Sequence, residues 1–131
     1  MTTREDIQST QPTASTPNKP IRLADRDELV DLLQSRSPVL VEFYTKGCTL
    51  CQSIEPVLGN VARATGITVG MINPQFDLDL VEEHNIKSVP TLIVFEDGEE
   101  VGRLAEGFQG TDAVVEFISN HTDAVDTAVE S

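Results

Sequence analysis

Tryptophan is absent from this 131-residue chain, tyrosine occurs once, and aromatic residues together make up only 5%. The surface therefore lacks the flat apolar contact area that indole rings supply. Basic residues are also scarce. Nine Lys and Arg stand against 22 Asp and Glu, and the lysines are Lys19, Lys46 and Lys87 alone. A net charge of −13 excludes nucleic acid and anionic membrane as natural partners, because each phosphate contact would oppose the protein's own field. No hydrophobic run approaches the length of a membrane span. The N-terminus shows no basic-then-apolar signal pattern, no paired arginines and no cysteine to carry lipid, so the expected location is cytoplasmic. Cysteine is limited to two residues. A chain this long does not need a staple to fold, and in that compartment two cysteines point to catalysis or metal binding.

What is present is unevenly distributed. Residues 1–20 are rich in Thr, Ser, Gln and Pro, and are expected to form a disordered polar arm that buries too little to offset its ordering entropy. Residues 121–131 form an acidic tail expected to fray. The folded unit is then 21–120. The acidic excess serves solubility in its simplest reading; a sharper one is adaptation to a very salty, halophile cytoplasm, where dense carboxylates tolerate screening.

Within 21–120 the hydrophobic period alternates between two and 3.6. Ile21–Leu23 is a short strand. Asp25 with Glu28 forms a capping box opening a helix that should bury Leu29, Val30, Leu32 and Leu33. Val39 to Tyr44 reads as a buried strand, and a helix from Cys48 to Ala64 carries Ile54, Val57, Leu58, Val61 and Ala62 on one stripe. Thr68–Ile72, a helix over Leu78–His84, and Thr91–Phe95 follow. Asp97-Gly98 makes a hairpin turn to Val101–Ala105, and a helix over Thr111–Asn120 closes the unit. The order βαβαβαββα predicts an α/β fold: a central mixed sheet of four to five strands with helices on both faces.

Both cysteines lie in Cys48-Thr49-Leu50-Cys51, where the strand gives way to the helix. Two sulfurs at this spacing can close a disulfide across one helical turn. A thiol at a helix start also meets unpaired N–H groups and the positive end of the macrodipole, which favour thiolate. Lys46 adds to that field. Cys48 is then the exposed nucleophile and Cys51 the buried resolving thiol of a redox-active pair. Two alternatives stand beside it: a zinc site completed by His84 and His121, which lack ligand spacing, and two inert core cysteines, which the adjoining Lys46-Gly47 turn disfavours.

Glu42 is the odd residue of its strand. Inside a sheet layer its carboxyl would be desolvated and able to shuttle a proton; on an edge strand it would simply face water. Pro90 stands at a strand's first position, where an ordinary trans proline is the simplest reading. Pro56 should kink its helix.

The ensemble of Val41-Glu42-Phe43-Tyr44, Cys48-Thr49-Leu50-Cys51, Pro56, Val89-Pro90-Thr91, Phe95-Glu96-Asp97-Gly98 and Gly107 resembles the thioredoxin family over about residues 21–120. The resemblance implies a thioredoxin fold and thiol–disulfide oxidoreductase activity of the protein-disulfide reductase type, with no bound cofactor or metal. It implies attack by Cys48 on a client disulfide, resolution by Cys51, and Glu42 where many thioredoxins keep a buried aspartate that handles the Cys51 proton. Pro90 would be cis, with Val89, Pro90, Thr91, Gly107 and Tyr44 lining the substrate groove. Partners would be protein disulfides and a disulfide reductase or other dithiol donor, and the protein is expected to be a monomer. The chain departs from the family in reading Thr49-Leu50 where Gly-Pro is usual, in lacking tryptophan, and in placing Tyr44 where a second tryptophan is usual. Those departures motivate a second reading, a non-catalytic peptide-binding or redox-regulated interaction module.

Overall fold

The computed structural model describes residues 19–75 and 77–122. All but the inner edges of the expected N-terminal arm and C-terminal tail lie outside these residues. Nine elements follow in chain order: β1 (Ile21–Leu23), α1 (Arg26–Ser35), β2 (Val39–Phe43), α2 (Thr49–Thr65), β3 (Thr68–Ile72), α3 (Leu78–His84), β4 (Thr91–Glu96), β5 (Glu99–Leu104) and α4 (Thr111–His121). The five strands form one sheet in the order β1-β3-β2-β4-β5. β1 and β2 both run parallel to β3, while β4 is antiparallel to β2 and to β5. This is the expected mixed sheet, and β2 is its central strand.

Alternation along the strands divides the core into two layers. Leu40, Val69, Met71, Leu92 and Val94 face α2 and α4, where they meet Ile54, Leu58, Val61, Val114 and Ile118. Val39, Val41, Phe43, Ile93 and Phe95 face the other way, toward Leu29 of α1 and Leu80 of α3. β2 is buried at every position because both its faces are covered and both its edges are paired. Gly70 in β3 is packed tightly from the α1 side: a methyl group there would lie 3.0 Å from both Leu23 and Leu32.

Local chemistry sets the element ends. Asp25 caps α1 by accepting from the Glu28 N–H at 3.0 Å, and Glu28 reaches back to the Ala24 N–H at 2.8 Å. Arg103 of β5 donates to the His84 and Asn85 carbonyls at 2.6 and 3.0 Å, closing the C-terminal end of α3. It also bridges to Glu100 at 2.8 Å.

Several boundaries differ from the sequence reading. In α1 only Leu29 is fully buried; Val30, Leu32 and Leu33 are half-buried, since α1 lies over β1 and β3 at the sheet's edge. Tyr44 falls just beyond β2, although its N–H still bonds the Ile72 carbonyl at 3.0 Å. β5 starts two residues early, at Glu99, because an edge strand tolerates polar side chains on its exposed positions. α4 runs one residue further, to His121. Among the described residues no helix is long and apolar enough to cross a membrane.

Candidate functional site

The C-terminal end of β2 delivers the chain into the turn Thr45-Lys46-Gly47, closed by the Cys48 N–H on the Thr45 carbonyl at 3.3 Å. Gly47 takes φ +84° there with nothing within 4 Å of where a Cβ would stand. The demand for glycine is thus one of backbone conformation, not of space. Cys48 is the N-cap of α2, and its Sγ accepts the Cys51 N–H at 3.0 Å. A sulfur therefore fills the role that Ser or Asp fills at most helix starts. Cys48 and Cys51 are joined as a disulfide, with Cα atoms 5.2 Å apart. Cys48 is partly exposed; Cys51, one turn inward, is 1% exposed.

Glu42 occupies the central strand, so the edge-strand alternative does not apply. It shares the sheet face of Leu40, the face that α2 covers, and is fully buried. Neither carboxylate oxygen has a hydrogen-bond partner, and these are the only such buried side-chain atoms among the described residues. Its register neighbours are Met71 and Leu92, both apolar. Burial pushes the Glu42 pKa up from 4.5 to about 8; Glu55 adds to the rise and Arg22 opposes it. Near neutral pH this carboxyl is largely protonated, and it exchanges its proton in the range where thiols do.

The peptide bond preceding Pro90 is cis, as the resemblance implies, and so is the one preceding Pro38, which the sequence does not announce. Pro90 is buried and Val89 is half-buried. Thr91 is turned inward, its hydroxyl donating to the Ser88 carbonyl at 2.6 Å, so its side chain is not offered to a groove. Gly107, at φ +79°, lies beside the disulfide loop: a Cβ there would be 3.8 Å from Leu50 Cδ1. Leu50, and Phe108 next to Gly107 in the chain, are 47% and 48% exposed. Tyr44 is half-buried and its hydroxyl accepts from Arg22 Nη1 at 3.3 Å. The structure thus gathers Cys48, Cys51, Tyr44 and Gly107 around one loop.

The zinc alternative finds no support in the placement of its histidines. His84 packs against the rings of Phe43 and Phe95, with centroids 5.4 and 5.7 Å away. His121 Nδ1 bonds the Phe117 carbonyl at 2.8 Å. No group of three or more His, Cys, Asp or Glu among the described residues is placed to hold a metal ion. The disulfide joining the two thiols is common to catalysis and to a redox-regulated interaction module, and a redox titration separates those two readings.

Sequence reasoning missed four residues of this neighbourhood. Arg22 and Glu55 form an ion pair at 2.9 Å beside Tyr44, and Leu50 and Phe108 supply exposed apolar surface. Leu50 sits inside the cysteine motif and Arg22 interrupts an apolar strand triplet, so both carried a signal. The Arg22–Glu55 contact spans 33 positions and carried none.

The thioredoxin family model matches residues 21–120. Among characterised relatives, thioredoxin of Mycobacterium tuberculosis is 34% identical over 102 residues, which cover 76% of this chain and 87% of the relative. The bifunctional thioredoxin reductase/thioredoxin of Mycobacterium leprae is 30% identical over 102 residues, covering 76% of this chain and 22% of that longer protein. A solved structure, a mutant thioredoxin from Halobacterium salinarum NRC-1, superimposes with a TM-score of 0.76 at 32% identity. The match covers 88% of this chain and 100% of that one.

Proposed function

The chain belongs to the thioredoxin family and is a thiol–disulfide oxidoreductase; within that activity we propose that Cys48 is the nucleophile, Cys51 the resolving thiol and Glu42 the proton carrier. The observation that supports these roles most directly is the asymmetry of the pair. One sulfur is reachable and caps a helix, the other is buried, and an unpartnered carboxyl lies on the same side of the sheet.

The cycle balances as follows. In the reduced protein, Cys48 thiolate attacks one sulfur of a client disulfide, forming a mixed disulfide and expelling the client's other sulfur as a thiolate that takes a proton from water. Glu42 carboxylate then takes the Cys51 proton. The Cys51 thiolate attacks the Cys48 sulfur, closing the internal disulfide and releasing the second client thiolate. The client gains two electrons, and Glu42 is left protonated. On recharging, a donor thiolate attacks the Cys48 sulfur and forms a mixed disulfide, Cys51 departs as thiolate, and Glu42 returns the proton to it. The donor's second thiol gives its proton to water and attacks the donor sulfur of that bond, so Cys48 leaves as thiolate and the donor is released as a disulfide. One proton therefore passes between Glu42 and Cys51 in each half-cycle. The elevated Glu42 pKa in the oxidised form suits this exchange. Helix-end N–H groups favour the Cys48 thiolate that begins it.

Val89, Pro90 and Gly107 are assigned to the substrate groove, where an extended client segment pairs with the Val89 backbone. Leu50, Phe108 and Tyr44 replace the contact area that tryptophan supplies elsewhere. The partners are protein disulfides and a disulfide reductase, in keeping with the bifunctional thioredoxin reductase/thioredoxin of Mycobacterium leprae. A monomeric protein, folded over 21–120 and working in a saline cytoplasm, fits the charge of −13 and the halobacterial structural relative. Melting followed from low to molar KCl tests the saline assignment, and stability that falls as KCl rises would remove it.

Insulin reduction with a dithiol donor tests the roles. Cys48→Ser keeps an oxygen to cap α2 and is expected to fold while losing all turnover. Cys51→Ser should instead accumulate mixed disulfides. Full activity in Cys48→Ser would reject the assignment.

A further inference from the structure

Arg22, Met71, Glu42 and Leu92 lie in one row across the sheet, on adjacent strands β1, β3, β2 and β4. Alternation turns Arg22 to the same side as Glu42, since Ile21 and Leu23 pack into the opposite layer. On that side α2 carries Glu55, whose Oε1 pairs with Arg22 Nη2 at 2.9 Å. Tyr44 braces the pair: its hydroxyl accepts from Arg22, and the guanidinium carbon sits 5.7 Å from its ring centroid. These three residues border a cleft of about 420 Å³ that also has Lys46, Gly47 and the buried Cys51 in its walls.

We propose that the Arg22–Glu55 ion pair, braced by Tyr44, is a positioning element for the Glu42 proton, its two opposite charges holding the carboxyl's proton exchange in balance beside the cleft that reaches Cys51. The proposal rests on the assignment of Glu42 as proton carrier. An exposed ion pair contributes little to stability, so a structural role alone gives it small weight. Its electrostatic position is different. Among the elements packed around Glu42, β3 and β4 present apolar Met71 and Leu92 in register, and the layer-facing residues of α4 are apolar. The charges acting on the carboxyl come from Arg22 on β1, which favours its ionised form, and Glu55 on α2, which opposes it. Lys46 and the Tyr44 hydroxyl border the same cleft. Hydrogen bonds to Tyr44 and Glu55 raise the Arg22 pKa further, so the positive member stays charged throughout the working range. The two charges act on the carboxyl in opposite directions. Removing either one leaves the other acting alone, so the two deletions must push in opposite directions.

The test uses the full-length oxidised protein with ¹³C-labelled glutamate carboxyls. The Glu42 resonance is identified by its loss in Glu42→Gln, and its titration midpoint is read in wild type, Arg22→Gln, Glu55→Gln and Arg22→Lys. Resolution of a preformed mixed disulfide is then followed against pH in the same proteins. Arg22→Gln is expected to raise the midpoint and Glu55→Gln to lower it, each by about half a pH unit or more. Arg22→Lys should stay near wild type, and the pH profile of resolution should move with the midpoints. Midpoints that stay still, or move together in one direction, would overturn the proposal. A resolution profile that Glu42→Gln leaves unchanged would instead overturn the assignment of Glu42 as carrier, whatever the midpoints do.

Discussion

The two faces of the sheet treat a buried ionisable group in opposite ways. On the α1/α3 face, His84 is half-buried between two phenylalanine rings, and Arg103 holds its backbone carbonyl. On the α2/α4 face, Glu42 is fully buried and its carboxyl touches no polar partner. Burial lowers the His84 pKa and raises that of Glu42, so both groups prefer to be neutral. His84 is built into the packing and has no redox group to serve. Glu42 shares its layer with the helix that carries Cys51. The contrast fits the proton-carrying role proposed for Glu42: packing and backbone contacts accommodate one buried group, while nothing polar accommodates the other.

The comparison breaks most sharply at Glu42. Its folded pKa, about 8, lies above the unfolded value of 4.5, so the folded form retains a proton that the unfolded chain releases. Its contribution is fully present below about pH 4.5, declines as pH rises, and levels off above about pH 8. Glu42→Leu removes this loss and is expected to stabilise the oxidised protein by about 3 kcal/mol at pH 7, measured by denaturant unfolding. It should also slow resolution of mixed disulfides. Unchanged or reduced stability would show that the carboxyl has a partner in solution.

A smaller effect belongs to the other face. Asp25→Ala removes the cap of α1 and should cost about 1 kcal/mol, equally at pH 6 and pH 8, with disulfide exchange untouched. A fall in reductase rate would mean that the two layers are coupled.

The smallest change is expected from His84→Leu. A histidine whose folded pKa lies below its unfolded value resists protonation in the fold, so it lowers stability as pH falls below about 6.5. That slope opposes the one from Glu42. Unfolding measured from pH 5 to 7 should show His84→Leu gaining on wild type as the pH falls. A gain that is the same at every pH would assign the effect to packing alone.

Most of the architecture was legible because each element carries its own local signal. α3 has the predicted ends, Leu78 and His84, since Asp77 caps it and Asn85 closes it in a left-handed conformation. Glu42 could be found because a lone acid in Val-Leu-Val-Glu-Phe violates the pattern of a buried strand. The misses share a cause in tertiary context. Whether Leu32 and Leu33 are covered depends on how far α1 overhangs the sheet edge, and the strand limits of β5 depend on pairing across the hairpin. The cis bond before Pro38 leaves no trace in residue type. The Arg22–Glu55 contact is created by strand order, which brings β1 beside β3 and under α2, and neither residue reveals the other.

Arg103 has a consequence for how a client is met. By gripping the carbonyls of His84 and Asn85 it ties one end of the segment leading to Pro90, while β4 anchors the other from Thr91 onward. The segment is thus set in place, like a jig bolted at both ends, and a client docking there as proposed would meet it ready-made. Little motional freedom would then be surrendered on docking, which lowers the ordering cost of the proposed encounter.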